Sequence, residues 1–238
     1  MEYENYIFDL YGTLVDINTN EETYGFWKKL AEIYSSYGAN YSGTELKRKY
    51  KELIFKDTEK HKNIECYEPD ILKIFDGLFK EKNVKASKEL IYHTAITFRV
   101  LSRKYIKLYP GVKELLEILK EKNKKIYLLS NAQAAFTIPE IKSLGIFDFF
   151  DAIFISSEEG VKKPSARFMK RFIDTYSPDL KKTIMIGNDE KSDIMTAVNA
   201  GMDSLYIHSN ISPRKYGALN PTYKILDGDV TKIKDLIV

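Results

Sequence analysis

Cysteine is nearly absent from this 238-residue chain, which contains only Cys66. A single thiol excludes an internal disulfide framework and is typical of a protein from a reducing compartment. Hydrophobic runs are short as well, and none approaches the roughly 18 apolar residues that a membrane-spanning helix needs. The first residues include Glu2, Glu4 and Asp9, unlike the basic and then apolar start of a signal region. We therefore expect a cytoplasmic protein without a membrane partner.

Strong net charge is also missing. The chain has 37 Lys and Arg against 34 Asp and Glu, for a formal net charge of +3 at pH 7. No run of Lys and Arg alternates with aromatic residues, so we expect no nucleic-acid partner. The three histidines, His61, His93 and His208, are scattered and form no metal-ligand pattern. These observations leave a small molecule as the expected partner, and they do not indicate an oligomeric state.

What is present is enough apolar mass for a packed core, since 44% of the residues are hydrophobic and 30% are charged. Residues 6–8 are predicted to form a short buried strand that ends at Asp9. From residue 16 to residue 105, apolar residues recur at helical spacing in four amphipathic segments, with no convincing strand between them. This stretch predicts a separate helical unit inserted after the first strand.

After Pro110-Gly111 the pattern changes to alternating helices and strands. The predicted strands are residues 126–129, 152–155, 183–186, 204–207 and 223–226. Repeats of strand, helix and strand indicate a parallel sheet covered by helices on both faces. We therefore predict an α/β fold with two parts. An open parallel sheet is built from residues 1–15 and 106–238, and residues 16–105 form an all-helical insert.

Polar side chains follow the predicted strands at the points where these strands end. Asp9 follows the first strand, Ser130 and Asn131 follow the second, and Lys163 comes shortly after the third. The fourth strand is followed by Asn188, Asp189 and Asp193. Because ligands of open parallel sheets bind at the carboxyl ends of the strands, we expect these side chains to converge on one site.

This set of groups suits the transfer of a phosphoryl group, where catalysis is mainly positioning and neutralisation of charge. Lys163 and backbone amides would hold the phosphate oxygens, and Ser130 would donate one hydrogen bond. A divalent cation such as Mg²⁺ prefers oxygen ligands and needs one or two carboxylates together with waters and the phosphate. The Asp9 carboxylate would then attack phosphorus to give an aspartyl intermediate that water hydrolyses.

Four segments of the chain resemble, in the same order, the four motifs of the haloacid dehalogenase superfamily. They are residues 8–14 (FDLYGTL), 129–131 (LSN), 160–164 (GVKKP) and 186–193 (IGNDEKSD). One such motif is a weak signal, whereas four in order on matching elements are a strong one. The resemblance covers the whole chain. It implies a Rossmann-like core, a helical cap of the first structural subclass that closes over the site and selects the substrate, and hydrolysis of a small phosphorylated metabolite.

By this resemblance, Asp9 matches the nucleophile, and Lys163 matches the lysine that stabilises charge. Ser130 and Asn131 match the phosphate-binding second motif. The substrate-binding residues predicted in this way are Gly12, Thr13, Ser130, Asn131 and Lys163.

The resemblance also implies Mg²⁺ as cofactor. The metal would be held by Asp9, by the main-chain carbonyl oxygen of Tyr11 and by the fourth motif. Within that motif we assign the metal to Asp189 first, and Asp193 acts directly or through water. Asn188, at a position that is often Asp in the family, offers a neutral oxygen as the alternative.

Tyr11 departs from the family pattern. Phosphatases of the family usually carry a second aspartate two residues after the nucleophile, which protonates the leaving group and activates water. A phenol with an ordinary pKa near 10 is a poor base at neutral pH. Two alternatives stay open: Tyr11 or a cap residue substitutes as the catalytic acid and base, or the leaving group departs without one.

The first motif, Asp-x-Tyr-Gly-Thr, is also that of the 2-haloacid dehalogenases, which attack an sp³ carbon and use no metal. Asp189, Glu190 and Asp193 argue against this rival, because carboxylates crowded together without a cation repel one another. Tyr11 and Asn188 also leave open a catalytically idle relative that binds a ligand.

Other residues receive ordinary structural predictions. Glu190, Arg99 and Arg103 are expected to face solvent. The aromatic residues of the insert are expected to form the core of a helical bundle; they are Tyr24, Phe26, Trp27 and Phe98.

Overall fold

The computed structural model describes residues 2–215, 217, 218 and 220–238 of the chain. Its strands are β1 (Asn5–Phe8), β2 (Val15–Thr19), β3 (Arg103–Leu108), β4 (Lys125–Ser130), β5 (Ala152–Ile155), β6 (Thr183–Gly187), β7 (Asp203–Ile207) and β8 (Tyr223–Ile225). Its helices are α1 (Tyr24–Ser36), α2 (Gly43–Lys60), α3 (Ile71–Lys80), α4 (Lys88–Ser102), α5 (Val112–Glu121), α6 (Ala134–Ser143), α7 (Ser156–Glu159), α8 (Ala166–Tyr176), α9 (Met195–Ala200) and α10 (Lys232–Ile237). A π-helical turn, Glu190–Ile194, precedes α9. Within these described residues, no helix is both long and apolar enough to cross a membrane.

Six of the strands form one parallel sheet in the order β5-β4-β1-β6-β7-β8. Strand β1 lies between β4 and β6, with Phe8 opposite Leu128 on one side and Ile186 on the other. All four side chains of β1 are buried, as expected for a strand covered on both faces. The predicted α/β fold with an open parallel sheet is confirmed. The predicted strands all coincide with or overlap observed strands of this sheet.

Strands β2 and β3 form a two-stranded antiparallel ribbon that the sequence analysis does not predict. Val15 pairs with Leu108, and Ile17 pairs with Ile106. Apolar and polar residues alternate here as in a half-buried strand, but the helical spacing of the neighbouring segments hides this short signal. The ribbon spans both predicted boundaries of the insert. The division into residues 1–15 with 106–238 and residues 16–105 stays a prediction.

Helices α1 to α4 pack around a cluster of aromatic side chains. The Phe98 ring lies 5.1 Å from Phe26, 5.4 Å from Tyr50 and 5.2 Å from Phe75, centroid to centroid. Rings at such distances make favourable edge or offset contacts in addition to their burial. Tyr24 is 65% exposed, so its predicted place in this core is wrong. A helical side chain covers the turn that precedes it, and no helical turn precedes Tyr24, the first residue of α1.

The connection between α2 and α3 contacts the segment that leads to Lys163. Tyr67 forms an antiparallel bridge with Val161, and the Glu68 N–H donates to the Gly160 carbonyl at 3.2 Å. The side chain of Gln133, just before α6, donates to the Glu68 carboxylate at 2.8 Å. The helical insert is therefore joined to the sheet region by the ribbon and also by these polar contacts.

Candidate active site

Asp9 lies at the carboxyl end of the central strand β1 and is buried. Its backbone N–H donates to the Ile186 carbonyl of β6, which extends the sheet pairing by one residue. Its side chain accepts two hydrogen bonds. Oδ1 accepts from Lys163 Nζ at 2.7 Å, and Oδ2 accepts from the Thr13 hydroxyl at 3.2 Å. The carboxylate is thus fixed at the edge of the sheet that the sequence predicts.

Lys163 connects two acidic side chains, and we call Asp9, Lys163 and Asp193 the lysine cluster. The Lys163 ammonium binds Asp9 Oδ1 at 2.7 Å, Asp193 Oδ1 at 2.8 Å and the Leu129 carbonyl at 2.6 Å. An ammonium group has three donors, and all three are used here. Lys163 is 2% exposed and Asp193 is 1% exposed. The predicted meeting of Asp9, Lys163 and the fourth motif therefore occurs.

Burial and charge act in opposite directions on these groups. Burial raises the pKa of Asp9 to about 6, since the lowering effect of Lys163 only partly offsets it and the Asp193 charge adds to it. Burial alone would lower the pKa of Lys163, but Asp193 and Asp9 outweigh it and raise that pKa. Two carboxylates share one ammonium, so the cluster carries one net negative charge when both acids are ionised.

Asn131 positions Lys163 through its side chain. Its Nδ2 donates to the Lys163 carbonyl at 3.0 Å, and its Oδ1 accepts from the Lys163 N–H at 2.7 Å. These two bonds tie the end of β4 to the lysine-bearing loop. They occupy both ends of the amide, so a contact between this side chain and substrate stays a prediction.

Ser130 differs from the other polar residues of the site because its hydroxyl is unused. Ser130 Oγ is buried and has no hydrogen-bond partner among the described residues. A buried hydroxyl without a partner is uncommon, and it calls for a ligand or another specific explanation. The predicted role of Ser130 as a hydrogen-bond donor to substrate matches this geometry and stays a prediction.

Gly12 and Thr13 build the turn after Asp9. The Gly12 N–H donates to the Val15 carbonyl at 2.8 Å and the Thr13 N–H to the Leu10 carbonyl at 3.2 Å. Gly12 has φ +90°, and a Cβ atom there would lie 2.2 Å from Asn188 Nδ2. Only glycine suits this backbone and this close approach. The N–H groups of Gly12 and Thr13 both donate to carbonyls within the turn. The role of these two residues in binding substrate stays a prediction.

The three acidic residues of the fourth motif have different hydrogen-bond partners. Asp193 Oδ2 accepts from the Asp189 N–H at 3.0 Å, and the Asp189 carboxylate accepts from the Lys191 N–H at 2.9 Å. The Glu190 carboxylate accepts from the N–H groups of Gly217 (2.6 Å) and Ala218 (3.0 Å). Glu190 is buried, so the expectation that it faces solvent is wrong. Its partners lie in a loop that follows β7, which sequence spacing does not reveal.

A magnesium ion fits the donors at this edge. In the part of the chain that the structure describes, no three Asp, Glu, His or Cys side chains come together as a metal site. Mg²⁺ nevertheless needs only one or two carboxylates with waters and phosphate. Asp9 Oδ2 and Asn188 Oδ1 both lie within hydrogen-bond distance of the Thr13 hydroxyl, at 3.2 Å and 3.4 Å. Asn188 and Asp193 lie closer to the partners of Asp9 than Asp189 does, because they contact Thr13 and Lys163. The roles of Asp189 and of the Tyr11 carbonyl as metal ligands stay predictions.

Tyr11 is engaged in a network that sequence analysis misses. Its hydroxyl donates to Glu140 Oε2 at 2.5 Å and lies 3.2 Å from the Thr137 hydroxyl. Burial and the Glu140 charge raise the pKa of Tyr11. The Tyr11 phenol therefore stays protonated at neutral pH, which leaves it less available as a base and makes it a weaker acid than an exposed phenol. The role of Tyr11 as catalytic acid and base stays a prediction. In this structure its hydroxyl contacts Glu140 and Thr137.

Glu140 joins the insert to the sheet region. Arg99 Nε of α4 binds Glu140 Oε1 at 2.8 Å, and Arg103 Nη1 binds it at 3.1 Å. The Arg99 guanidinium also lies 5.4 Å from the centres of the Tyr11 and Phe136 rings. The expectation that Arg99 and Arg103 lie on a solvated helix face is therefore wrong. No local pattern could identify Glu140, because its partners are far away in sequence.

The parallel sheet and the polar cluster at its carboxyl edge place the chain among α/β proteins with a ligand site at the strand ends. A family model of haloacid dehalogenase-like hydrolases matches residues 3–201. Since this match covers most of the chain, the chain belongs to that family of hydrolases, as the four motifs predict. The predicted subclass of the cap stays a prediction.

The curated relatives include proteins named glyceraldehyde 3-phosphate phosphatase. The one from Methanothermobacter thermautotrophicus is 25% identical over 221 residues, which are 92% of this chain and 83% of the relative. The one from Pyrococcus abyssi is 26% identical over 132 residues, so the chain spans only 56% of its length. A solved structure, the 2-haloacid dehalogenase from Pseudomonas syringae pv. Tomato, has a TM-score of 0.67 at 18% identity, over 98% of this chain and 97% of that one. At that identity the likeness shows the fold alone.

The raised pKa of Asp9 leads to a prediction about stability. The folded state holds the Asp9 proton more tightly than the unfolded state, whose carboxyl titrates near 3.8. Without metal, ionised Asp9 therefore costs stability above about pH 6, and this cost disappears as the pH falls towards 4. We expect Asp9→Asn to raise the free energy of unfolding at pH 8 in EDTA by on the order of 1–3 kcal/mol, or about 2–4 °C in Tm for each kcal/mol.

Thermal melts at pH 8 and pH 5 would measure this effect. The gain should shrink at pH 5, and Asp148→Asn, which changes an exposed acid, should change neither melt. A lower Tm for Asp9→Asn at pH 8 would contradict the inference that the ionised Asp9 carboxylate costs stability.

The Glu140 network leads to a second prediction. Glu140→Ala leaves two partly buried guanidinium groups without their shared acid, so we expect a loss of about 3–5 kcal/mol in the free energy of unfolding. Asp174→Ala removes an acid from an exposed pair with Lys170 and should cost less than about 1 kcal/mol. Urea denaturation would compare the two variants with wild type, and equal small losses would rule out a structural role for the network.

Proposed function

We propose that the chain is a Mg²⁺-dependent phosphatase that acts on a small phosphorylated metabolite through an aspartyl-phosphate intermediate. The observation that carries this proposal is the lysine cluster, in which a buried ammonium holds Asp9 at 2.7 Å and Asp193 at 2.8 Å. Family membership and the relatives named as phosphatases support the class of substrate. The cytoplasmic location and the absence of nucleic-acid and membrane partners stay predictions from the sequence.

Asp9 is the proposed nucleophile. One of its oxygens forms a bond to phosphorus while the bond between phosphorus and the ester oxygen breaks, and the leaving oxygen takes up a proton. Water then attacks phosphorus, the bond to Asp9 breaks, and inorganic phosphate is released with the carboxylate regenerated. The Thr13 and Lys163 hydrogen bonds hold the Asp9 carboxylate in one orientation, which reduces the entropy lost on the way to attack.

Ser130 and Lys163 are the proposed phosphate-binding side chains. The buried Ser130 hydroxyl has no partner among the described residues, so it can donate to a phosphate oxygen without breaking a protein hydrogen bond. Lys163 uses its three donors within the protein, so a phosphate oxygen that binds it replaces one of those acceptors. Asn131 keeps the Lys163 backbone in place during this exchange.

Asp9 and Asn188 are the proposed holders of Mg²⁺, with Asp193 close by on Lys163. When bound, the cation supplies the positive charge that an anionic nucleophile needs beside an anionic ester. The lysine cluster has one negative charge in excess, which favours a cation at this place. Glu190 is not a member of this cluster, because its carboxylate accepts hydrogen bonds from the N–H groups of Gly217 and Ala218.

A metal-independent 2-haloacid dehalogenase is the second candidate. Tyr11 and Asn188 favour it, since both are neutral at positions where the phosphatases of the family usually have acids. In that reaction Asp9 attacks an sp³ carbon and halide leaves. The excess negative charge of the lysine cluster weighs against it. A catalytically idle relative would show neither reaction.

A release assay separates these functions. We expect inorganic phosphate from an aryl phosphate and from some members of a panel of phosphorylated metabolites in Mg²⁺ buffer. Chelation should abolish the release, and Asp9→Asn should lower it to below about one thousandth of the wild-type rate, while Asp148→Asn should leave it unchanged. Halide released from a 2-haloacid in the presence of chelator would instead identify a dehalogenase, and no release of either product would identify an idle relative.

Tyr11 provides a separate test of the acid and base step. We expect Tyr11→Asp to raise phosphatase turnover by roughly tenfold or more, because a general acid and base contributes about 10²–10⁴ in rate. Tyr11→Phe is the matched control, since it removes the hydroxyl without supplying a carboxyl group, and it should not raise turnover. A kcat for Tyr11→Asp that is equal to or below wild type would show that the lack of an aspartate at residue 11 does not limit turnover.

A further inference from the structure

The two ends of the Asn188 side chain face different partners. Asn188 Nδ2 donates to the Ser212 hydroxyl at 3.2 Å. Asn188 Oδ1 lies 3.4 Å from the Thr13 hydroxyl, which donates its one proton to Asp9 Oδ2 at 3.2 Å. An amide presents a donor at one end and an acceptor at the other. Its orientation therefore decides whether an oxygen or an NH₂ group faces the Asp9 carboxylate.

The Ser212 hydroxyl accepts a hydrogen bond from Asn188 as part of a small network. Ser212 Oγ also accepts from the Ser209 N–H at 2.9 Å, and it lies 3.2 Å from the Ser209 hydroxyl. A serine hydroxyl has one proton and two lone pairs. The two N–H groups fill both lone pairs, and the proton goes to the Ser209 hydroxyl. With the amide in this orientation, the hydrogen bonds of the Ser212 hydroxyl are all made and the Asn188 oxygen faces Thr13.

Packing leaves the Asn188 amide few other positions. Its Nδ2, Cγ and Oδ1 atoms lie 2.2, 2.6 and 2.9 Å from where a Cβ atom of residue 12 would be. The side chain therefore lies against the bare backbone of Gly12 and is buried. A half-turn of the amide exchanges oxygen and nitrogen in nearly the same volume, so sterics do not distinguish the two orientations. The orientation therefore depends on the polar partners, Ser212 at one end and Thr13 with Asp9 at the other.

Ser212 is held in place from both sides. Asn210 donates to Asp16 Oδ1 of β2 at 3.0 Å and accepts from the Tyr109 hydroxyl at 2.5 Å. On the other side, Glu190 holds the backbone at Gly217 and Ala218. The loop that follows β7 is thus attached to the ribbon and to the fourth motif, and Ser212 lies between these attachments.

We propose that Ser212 is a positioning residue that sets the Asn188 amide with its oxygen towards Asp9, as a neutral ligand for the divalent cation. This inference rests on the proposed Mg²⁺-dependent function. Ser212 acts through Asn188 and has no contact with substrate in this role.

The test is Mn²⁺ binding to the full chain, followed by electron paramagnetic resonance in the absence of substrate. Ser212→Ala should weaken Mn²⁺ binding about tenfold, the lower end of the effect of losing a partner of a metal ligand. Ser212→Thr, which keeps the hydroxyl, should bind close to wild type. Thr222→Ala is the control, because it removes contacts to Ser204 and Asp203 elsewhere in the loop and should leave binding unchanged.

A second background separates orientation from general loosening of the loop. Asp at residue 188 presents oxygen at both ends, so in Asn188→Asp the change Ser212→Ala should leave Mn²⁺ affinity nearly the same. Equal losses in both backgrounds, or no loss in the Asn188 background, would overturn the role of Ser212 and leave the phosphatase proposal standing. A wild-type chain that binds no Mn²⁺ would overturn both, since the proposed metal would then be wrong.

Discussion

The hydrogen-bonded contact between the Lys163 ammonium and two buried carboxylates is the interaction on which the site depends. Charges this deep in a protein are costly unless they are paired and hydrogen-bonded. The surrounding chain meets that condition at each position. Asn131 fixes the backbone of Lys163, and Gly187 leaves room for Asp193, whose side-chain atoms lie 2.3 Å from where a Cβ atom would be. Three strands and two loops therefore have to come together correctly before the site exists.

The same pairing leaves the site unbalanced in charge. One ammonium serves two acids, and the raised pKa of Asp9 shows that the fold does not fully stabilise its ionised form. Sites with this property gain when a cation or another compensating group binds. The ionised Asp9 carboxylate therefore lowers the stability of the fold, although the proposed chemistry needs it in that form. The fourth-motif acids that do not join the cluster are stabilised locally, since Asp189 caps a turn and Glu190 binds backbone N–H groups.

Local patterns were sufficient to predict the sheet and the residues at its edge. Each buried strand is a short apolar run, and the polar residue that follows it marks the strand end, as Asp9 does after β1. The ribbon of β2 and β3 was missed because its alternation is short and lies between helical segments. Glu140 was missed for another reason. Its partners Arg99 and Tyr11 are 41 and 129 residues away, and nothing in the neighbourhood of residue 140 indicates such a pairing.

The place of β1 in the sheet has a consequence for how the protein loses structure. Its backbone is hydrogen-bonded to β4 on one side and to β6 on the other, so β1 opens only when the sheet itself comes apart. Amide protons of such central strands exchange with solvent through global unfolding, whereas helices at the periphery open earlier. Asp9 follows directly on this doubly paired strand. The nucleophile therefore keeps its position for as long as the sheet holds together.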